Sequence, residues 1–137
     1  MKNIITERIA TVGLLTILSV IIIFHLLIIV GVIPFDIVWG GRLEDSEQML
    51  QFETISILLN AIMLLVVSTR AGIIRWNIKP LLITIALWGM FGLFSVNTIG
   101  NLLSNNSLET IIFTPLTLLL ALFSWRLAVS KIRVPVL

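Results

Sequence analysis

Long uncharged runs alternate with short charged segments along the whole chain. The uncharged runs cover residues 9–35, 54–69, 80–108 and 110–125. A helix needs about 20 predominantly apolar residues to cross the hydrocarbon core of a bilayer, and the first and third runs exceed that length. The second and fourth runs are shorter and need polar residues at or inside their membrane borders. Because a helix is the only open structure that satisfies its own backbone in lipid, the pattern predicts four transmembrane helices.

We expect an all-α fold, a polytopic four-helix transmembrane bundle that forms a single domain over residues 1–137. The predicted helices cover about residues 9–33, 46–69, 80–103 and 108–129, and an outer loop covers residues 34–45. Short connections make neighbouring helices antiparallel. The second helix has a start signal, since Asp45 followed three residues later by Gln48 has the pattern of a capping box.

Composition supports a membrane protein and removes several kinds of site. The chain is 58% hydrophobic and only 12% charged, whereas a soluble domain carries about 25% charged residues. It has no cysteine and one histidine, so thiolate chemistry and histidine-rich metal sites are excluded, and we expect no metal or cofactor. Its basic residues form no stripe, so we expect no nucleic acid partner. The expected partners are the lipid bilayer and either further copies of the chain or another membrane protein.

The distribution of lysine and arginine predicts the orientation. Positive residues concentrate in cytoplasmic segments of membrane proteins. Eight of the nine basic residues fall at the two termini and in the connection between the second and third helices. Only Arg42 falls in another connection. Both termini are therefore expected in the cytoplasm, the loop 34–45 outside, and the protein in a bacterial cytoplasmic membrane.

Polar side chains within the spans concentrate in the predicted outer halves of the helices, which suggests a polar pocket open to the outside. Glu53 would lie about 5 Å below the outer membrane border, at 1.5 Å rise per residue. The loop Trp39–Glu47 would cover the mouth, and a kink at Pro115 would widen it. The candidate ligand or ion-binding residues are His25, Arg42, Glu53, Asn60, Asn97, Asn101 and Thr114.

Each candidate also has a purely structural interpretation. Glu53 could lie among the lipid headgroups, and the asparagines could form hydrogen bonds between helices. His25 could bond to a neighbouring helix, and Thr114 to its own helix. Glu109 has the position of a helix cap, and Arg42 could pair with Glu109 or with another nearby acid.

The leading functional hypothesis is binding or transport of a small solute or ion, with or without coupling to protons. Glu53 and His25 are the only acid/base couple within the spans. The alternative is an accessory or assembly subunit of a membrane complex that transports nothing itself. A lipid-acting membrane enzyme using His25 and Glu53 is less favoured, because no motif marks a nucleophile and we assign no catalytic residue.

Two segments resemble a family of small bacterial four-helix membrane proteins. They are IPFDIVWGGRLEDSEQMLQFETISILLNA, residues 33–61, and NTIGNLLSNNSLET, residues 97–110. The resemblance extends to the layout of the whole chain and implies the same four-helix fold. That family has no assigned function, so the resemblance implies no activity.

Overall fold

The computed structural model describes residues 4–132 and is entirely helical and irregular within that range, without a strand. Of the basic residues used for orientation, Lys2 and Arg133 lie outside it. The main helices are α1 (Glu7–Ile29), α2 (Ser46–Arg70), α3 (Pro80–Leu102) and α4 (Thr114–Ala128). A π-helical turn, Glu109–Phe113, leads directly into α4. With that turn included, the four helices are each long and apolar enough to cross a membrane.

Local sequence explains where the first two helices begin and end. α1 ends at Ile29, four residues before the predicted position 33, because Gly31 adopts the left-handed region with a φ of +77°. The N–H of Val32 then bonds to the Leu27 carbonyl at 2.9 Å, which completes a Schellman cap. α2 begins as its capping signal indicates, since the Asp45 side chain accepts the Gln48 N–H at 2.8 Å.

The helices pack as three close pairs. α1 contacts α2 and α4, and α3 contacts α4, whereas α2 and α3 touch sparsely. An apolar groove of about 200 Å³ separates α2 from α3. Its lining consists of Leu59, Ile62, Met63, Val66, Ala86, Gly89, Met90 and Leu93.

One glycine of α1 lies against the neighbouring helix α4, a position that the sequence did not single out. A Cβ added to Gly13 of α1 would lie 2.3 Å from the Phe123 ring of α4. At Gly89 and Gly92 of α3, by contrast, no other group lies within 4 Å of the Cβ position. The glycine of α1 therefore lies at a helix contact, whereas the two glycines of α3 do not, although the apolar runs of α1 and α3 have similar compositions.

The two ends of the bundle differ in charge. We call one the acidic end; it contains the loop between α1 and α2, the segment between α3 and α4, and Glu53. The opposite, basic end contains the start of α1, the connection between α2 and α3, and the end of α4. Contacts between His25 and Glu53 at one end, and between Arg70 and Glu7 at the other, show that α1 and α2 run antiparallel.

Candidate functional site at the acidic end

The centre of the acidic end is a carboxylate with both oxygens occupied. Glu53, in the second turn of α2, is completely buried. Its Oε2 lies 2.5 Å from His25 Nδ1 of α1. Its Oε1 accepts a hydrogen bond from Trp39 Nε1 at 2.8 Å. Three separate parts of the chain, α1, α2 and the loop between them, therefore meet at one side chain.

The distance between His25 and Glu53 requires a shared hydrogen. A nitrogen and an oxygen held 2.5 Å apart need one hydrogen between them, because two facing lone pairs would repel. The couple is thus a carboxylic acid with a neutral imidazole, a carboxylate with a neutral imidazole that carries its hydrogen on Nδ1, or a carboxylate with an imidazolium. Within residues 4–132, no lysine or arginine nitrogen lies within 4.0 Å of this carboxylate. Any positive charge next to Glu53 is therefore that of His25, a residue that can also be neutral.

The loop above Glu53 has an unusual backbone conformation. Trp39, Gly40 and Gly41 follow one another in the left-handed region, with φ values of +55°, +66° and +68°. Glycine adopts this region freely, but Trp39 is the only other residue between positions 4 and 132 that occupies it. Such a conformation persists only where surrounding contacts hold it. Here the contacts are the bond to Glu53 and an edge-to-face contact with Phe52, with ring centroids 5.0 Å apart.

A second carboxylate anchors the same loop. The Glu109 Oε1 atom accepts the backbone N–H of Gly40 at 2.5 Å, and Oε2 accepts the hydroxyl of Ser104. Glu109 begins the π-helical turn, in which Thr114 N–H bonds to the Glu109 carbonyl five residues back. Pro115 has no N–H to continue the ordinary pattern, and the wide turn directly precedes it. The expected helix cap is thus also a link between the two loops of this end.

Two of the seven candidates predicted from sequence meet, namely His25 and Glu53. The Asn60 amide donates to the Ser56 carbonyl of its own helix at 2.8 Å. The Thr114 hydroxyl donates to the Glu109 carbonyl at 3.4 Å, also locally. These two side chains are engaged within their own helices, and neither bonds to Glu53.

The other three candidates also lie apart from Glu53. The Asn101 amide donates to the Thr117 hydroxyl at 3.4 Å and so links α3 to α4. Asn97 lies on the exposed surface of α3 and has no hydrogen-bond partner among residues 4–132. Arg42 is exposed, and no carboxylate oxygen of the described chain lies within 4.0 Å of its guanidinium nitrogens. The alternative of an Arg42 ion pair is not observed among the described residues, since Glu53 and Glu109 are held by other donors.

From the sequence, Trp39 was expected only as part of the loop over the pocket and was not among the candidate binding residues. The one signal was the pair of glycines after it, which permits the chain to turn sharply. The contact of the indole with Glu53 depends on the left-handed path of three residues, which no local pattern specifies. Ser104 was missed in the same way, because its partner Glu109 lies across a loop.

No protein-family model, curated protein or solved structure matches this chain. Four apolar spans define the class, which is a helical membrane protein. Its distinguishing feature is an acid/base couple buried at one end of the bundle and covered by a tryptophan.

Proposed function

We propose that the protein binds or transports a small solute or ion at the acidic end, with Glu53 as the charge or proton site. His25 is its proton partner, and the loop Trp39–Glu47 is the gate. One observation carries the proposal: a completely buried carboxylate on a membrane-length helix is held by an imidazole and an indole. Neither partner is a permanent cation, so the carboxylate is free to exchange a proton or a positive ion.

The cost of burying this group supports a functional role. Ionisable side chains at membrane depth are expensive and commonly mark ion or substrate pathways. An acid needed only for packing could be replaced by an apolar residue at little cost, or paired with an arginine as Glu7 is with Arg70. Glu53 has no arginine or lysine partner among residues 4–132. The loop above it is also held in a conformation that opening would relax.

The proposal includes an orientation, with both termini in the cytoplasm and the acidic end outside a bacterial cytoplasmic membrane. It rests on the bias of lysine and arginine to the basic end. The chain has no cysteine, so a single Ser46→Cys variant provides one label site. That variant should react with an impermeant maleimide in intact cells, and Asn77→Cys at the basic end should react only after lysis. The reverse pattern would overturn the orientation.

Proton movement through Glu53 provides the functional test. The full chain is reconstituted into liposomes that contain the pH-sensitive dye pyranine, and a potassium diffusion potential is imposed with valinomycin, with and without Na⁺. Wild type should change the internal pH faster than Glu53→Gln, whose amide keeps the size of the side chain. Glu7→Gln, which changes an acid of the opposite, basic end, should behave as wild type. Equal rates for wild type and Glu53→Gln would contradict the proposal.

A second candidate is an accessory subunit of a membrane complex. The groove between α2 and α3 favours it, since apolar side chains and the bare backbone of Gly89 line a gap that a partner helix could fill. Purification in mild detergent should then yield another membrane protein in fixed stoichiometry. Gly89→Leu, which fills the groove, should release that protein, whereas Val20→Leu on the exposed face of α1 should retain it.

A further inference from the structure

We propose that Trp39 occupies the place of the ligand, and that the ligand is a small ammonium cation with at least one N–H, such as a protonated primary amine. The cation would displace the Trp39 indole from Glu53 Oε1 and so release the gate. This inference rests on the proposed function, because it names the ligand class of the same site.

The hydrogen bonding at Glu53 sets the chemistry of the ligand. Oε1 accepts one N–H, from a neutral indole at 2.8 Å. An alkylammonium group offers the same N–H to the same oxygen and adds a positive charge. Hydrogen bonds from a charged donor to a carboxylate are roughly twice as strong as those between neutral groups. The cation therefore competes directly with Trp39 for one atom, while His25 keeps its place on Oε2.

The aromatic ring that packs against Trp39 suits the remainder of such a cation. The Phe52 ring stands edge-to-face with Trp39, their centroids 5.0 Å apart. When the indole swings away, the Phe52 ring borders the position that the indole leaves. The face of an aromatic ring attracts a cation, and its carbon atoms accommodate a short alkyl chain. A hydrated inorganic ion gains less from such a wall than an alkylammonium ion.

The loop can release Trp39 without coming apart. Trp39 is 40% exposed and lies above a carboxylate that is 0% exposed, so it is the cover between Glu53 and the surface. On either side of it, Val38 and Leu43 are buried in a separate apolar cluster with Met49. The Gly40 N–H also remains bonded to Glu109. Opening therefore requires only Trp39 to move, and a movement that includes its backbone removes the need to hold that residue in the left-handed region.

The test compares ammonium ions with and without an N–H. Ethylammonium and tetramethylammonium chloride are titrated into the full-length protein in detergent by isothermal calorimetry, at constant ionic strength. Ethylammonium should bind wild type and tetramethylammonium should not, because the latter has no N–H to offer Oε1. Glu53→Gln should abolish ethylammonium binding. This comparison needs no variant at Trp39, so it holds even if a loop variant folds poorly.

A variant of the cover then tests the competition itself. Trp39→Phe keeps an aromatic ring against Phe52 but removes the competing N–H. It should bind ethylammonium about tenfold more tightly than wild type, the factor that one neutral hydrogen bond represents. Trp76→Phe, an exposed tryptophan of the basic end, should bind as wild type does.

Three results would overturn the inference. They are equal binding of the two ammonium ions, no binding of ethylammonium to wild type, and unchanged or weaker binding by folded Trp39→Phe. Proton flux that depends on Glu53 without ethylammonium binding would overturn the amine class and leave the proposed function intact. The absence of both Glu53-dependent proton flux and ethylammonium binding would overturn the inference and the proposed function together.

Discussion

The acidic and basic ends of the bundle hold their charged side chains in opposite ways. At the basic end, Arg70 bonds to the Glu7 carboxylate at 3.2 Å and to the Lys131 carbonyl at 3.3 Å. Arg126 of α4 donates to the Ile5 carbonyl at 2.8 Å. At the acidic end, the carboxylates of Glu53 and Glu109 accept bonds from an imidazole, an indole, a backbone amide and a hydroxyl.

The difference supports the proposal that the acidic end is the one that changes when a ligand binds. An arginine stays charged under all ordinary conditions, so its bonds to chain ends form a permanent clamp on the helices. The partners of Glu53 and Glu109 are neutral or titratable, and a stronger donor can replace them without a cost in unpaired positive charge. We therefore expect substitutions at the basic end to affect stability alone, and substitutions at the acidic end to affect stability and ligand response together.

Removing the Glu53 carboxylate should give the largest loss of stability. Glu53→Ala leaves the N–H groups of His25 and Trp39 without their acceptor, and each such loss costs about 1–3 kcal/mol. Partial exposure of Trp39 lets water repair some of that loss, so we expect a decrease of about 2–4 kcal/mol in the free energy of unfolding. Denaturant unfolding in detergent micelles measures it.

The matched control for that experiment is Glu47→Ala, six residues earlier on α2. Glu47 is exposed and gains only from its position near the start of the helix, worth about 0.3–1 kcal/mol. Equal losses for the two variants would mean that the buried contacts of Glu53 contribute nothing. The contrast between the ends would then lose its main support.

Much of the fold follows from the sequence, because charged residues can stop a membrane span and apolar runs can continue it. The His25–Glu53 contact was also within reach, since these residues are the only acid/base couple of the spans. The rotation of each helix about its own axis could not be predicted. A lipid-facing surface is as apolar as the core, so no amphipathic pattern distinguishes the two, and Asn97 was expected inside but lies on the exposed surface.

A smaller effect should separate the packing of the two halves. Gly13→Ala places a methyl group against the Phe123 ring in the half of the bundle nearer the basic end, and overpacking of this kind costs about 1–3 kcal/mol. Gly100→Ala near the acidic end meets nothing within 4 Å, and alanine favours the helix by about 1 kcal/mol. The midpoint temperature of thermal unfolding in detergent should therefore fall for Gly13→Ala and rise for Gly100→Ala. A loss at Gly100 as large as that at Gly13 would show that α3 is closely covered.

The smallest effect should come from the one ion pair of the basic end between described residues. Glu7 is 42% exposed on its side chain, and exposed pairs contribute about 0–1 kcal/mol. Glu7→Gln should lower the free energy of unfolding by less than about 1 kcal/mol, because Arg70 keeps the Lys131 carbonyl and the amide oxygen still accepts. Ethylammonium binding and proton flux should both stay at wild-type values. A change in either would mean that the basic end is coupled to the Glu53 site, and that the clamp is not independent of the gate.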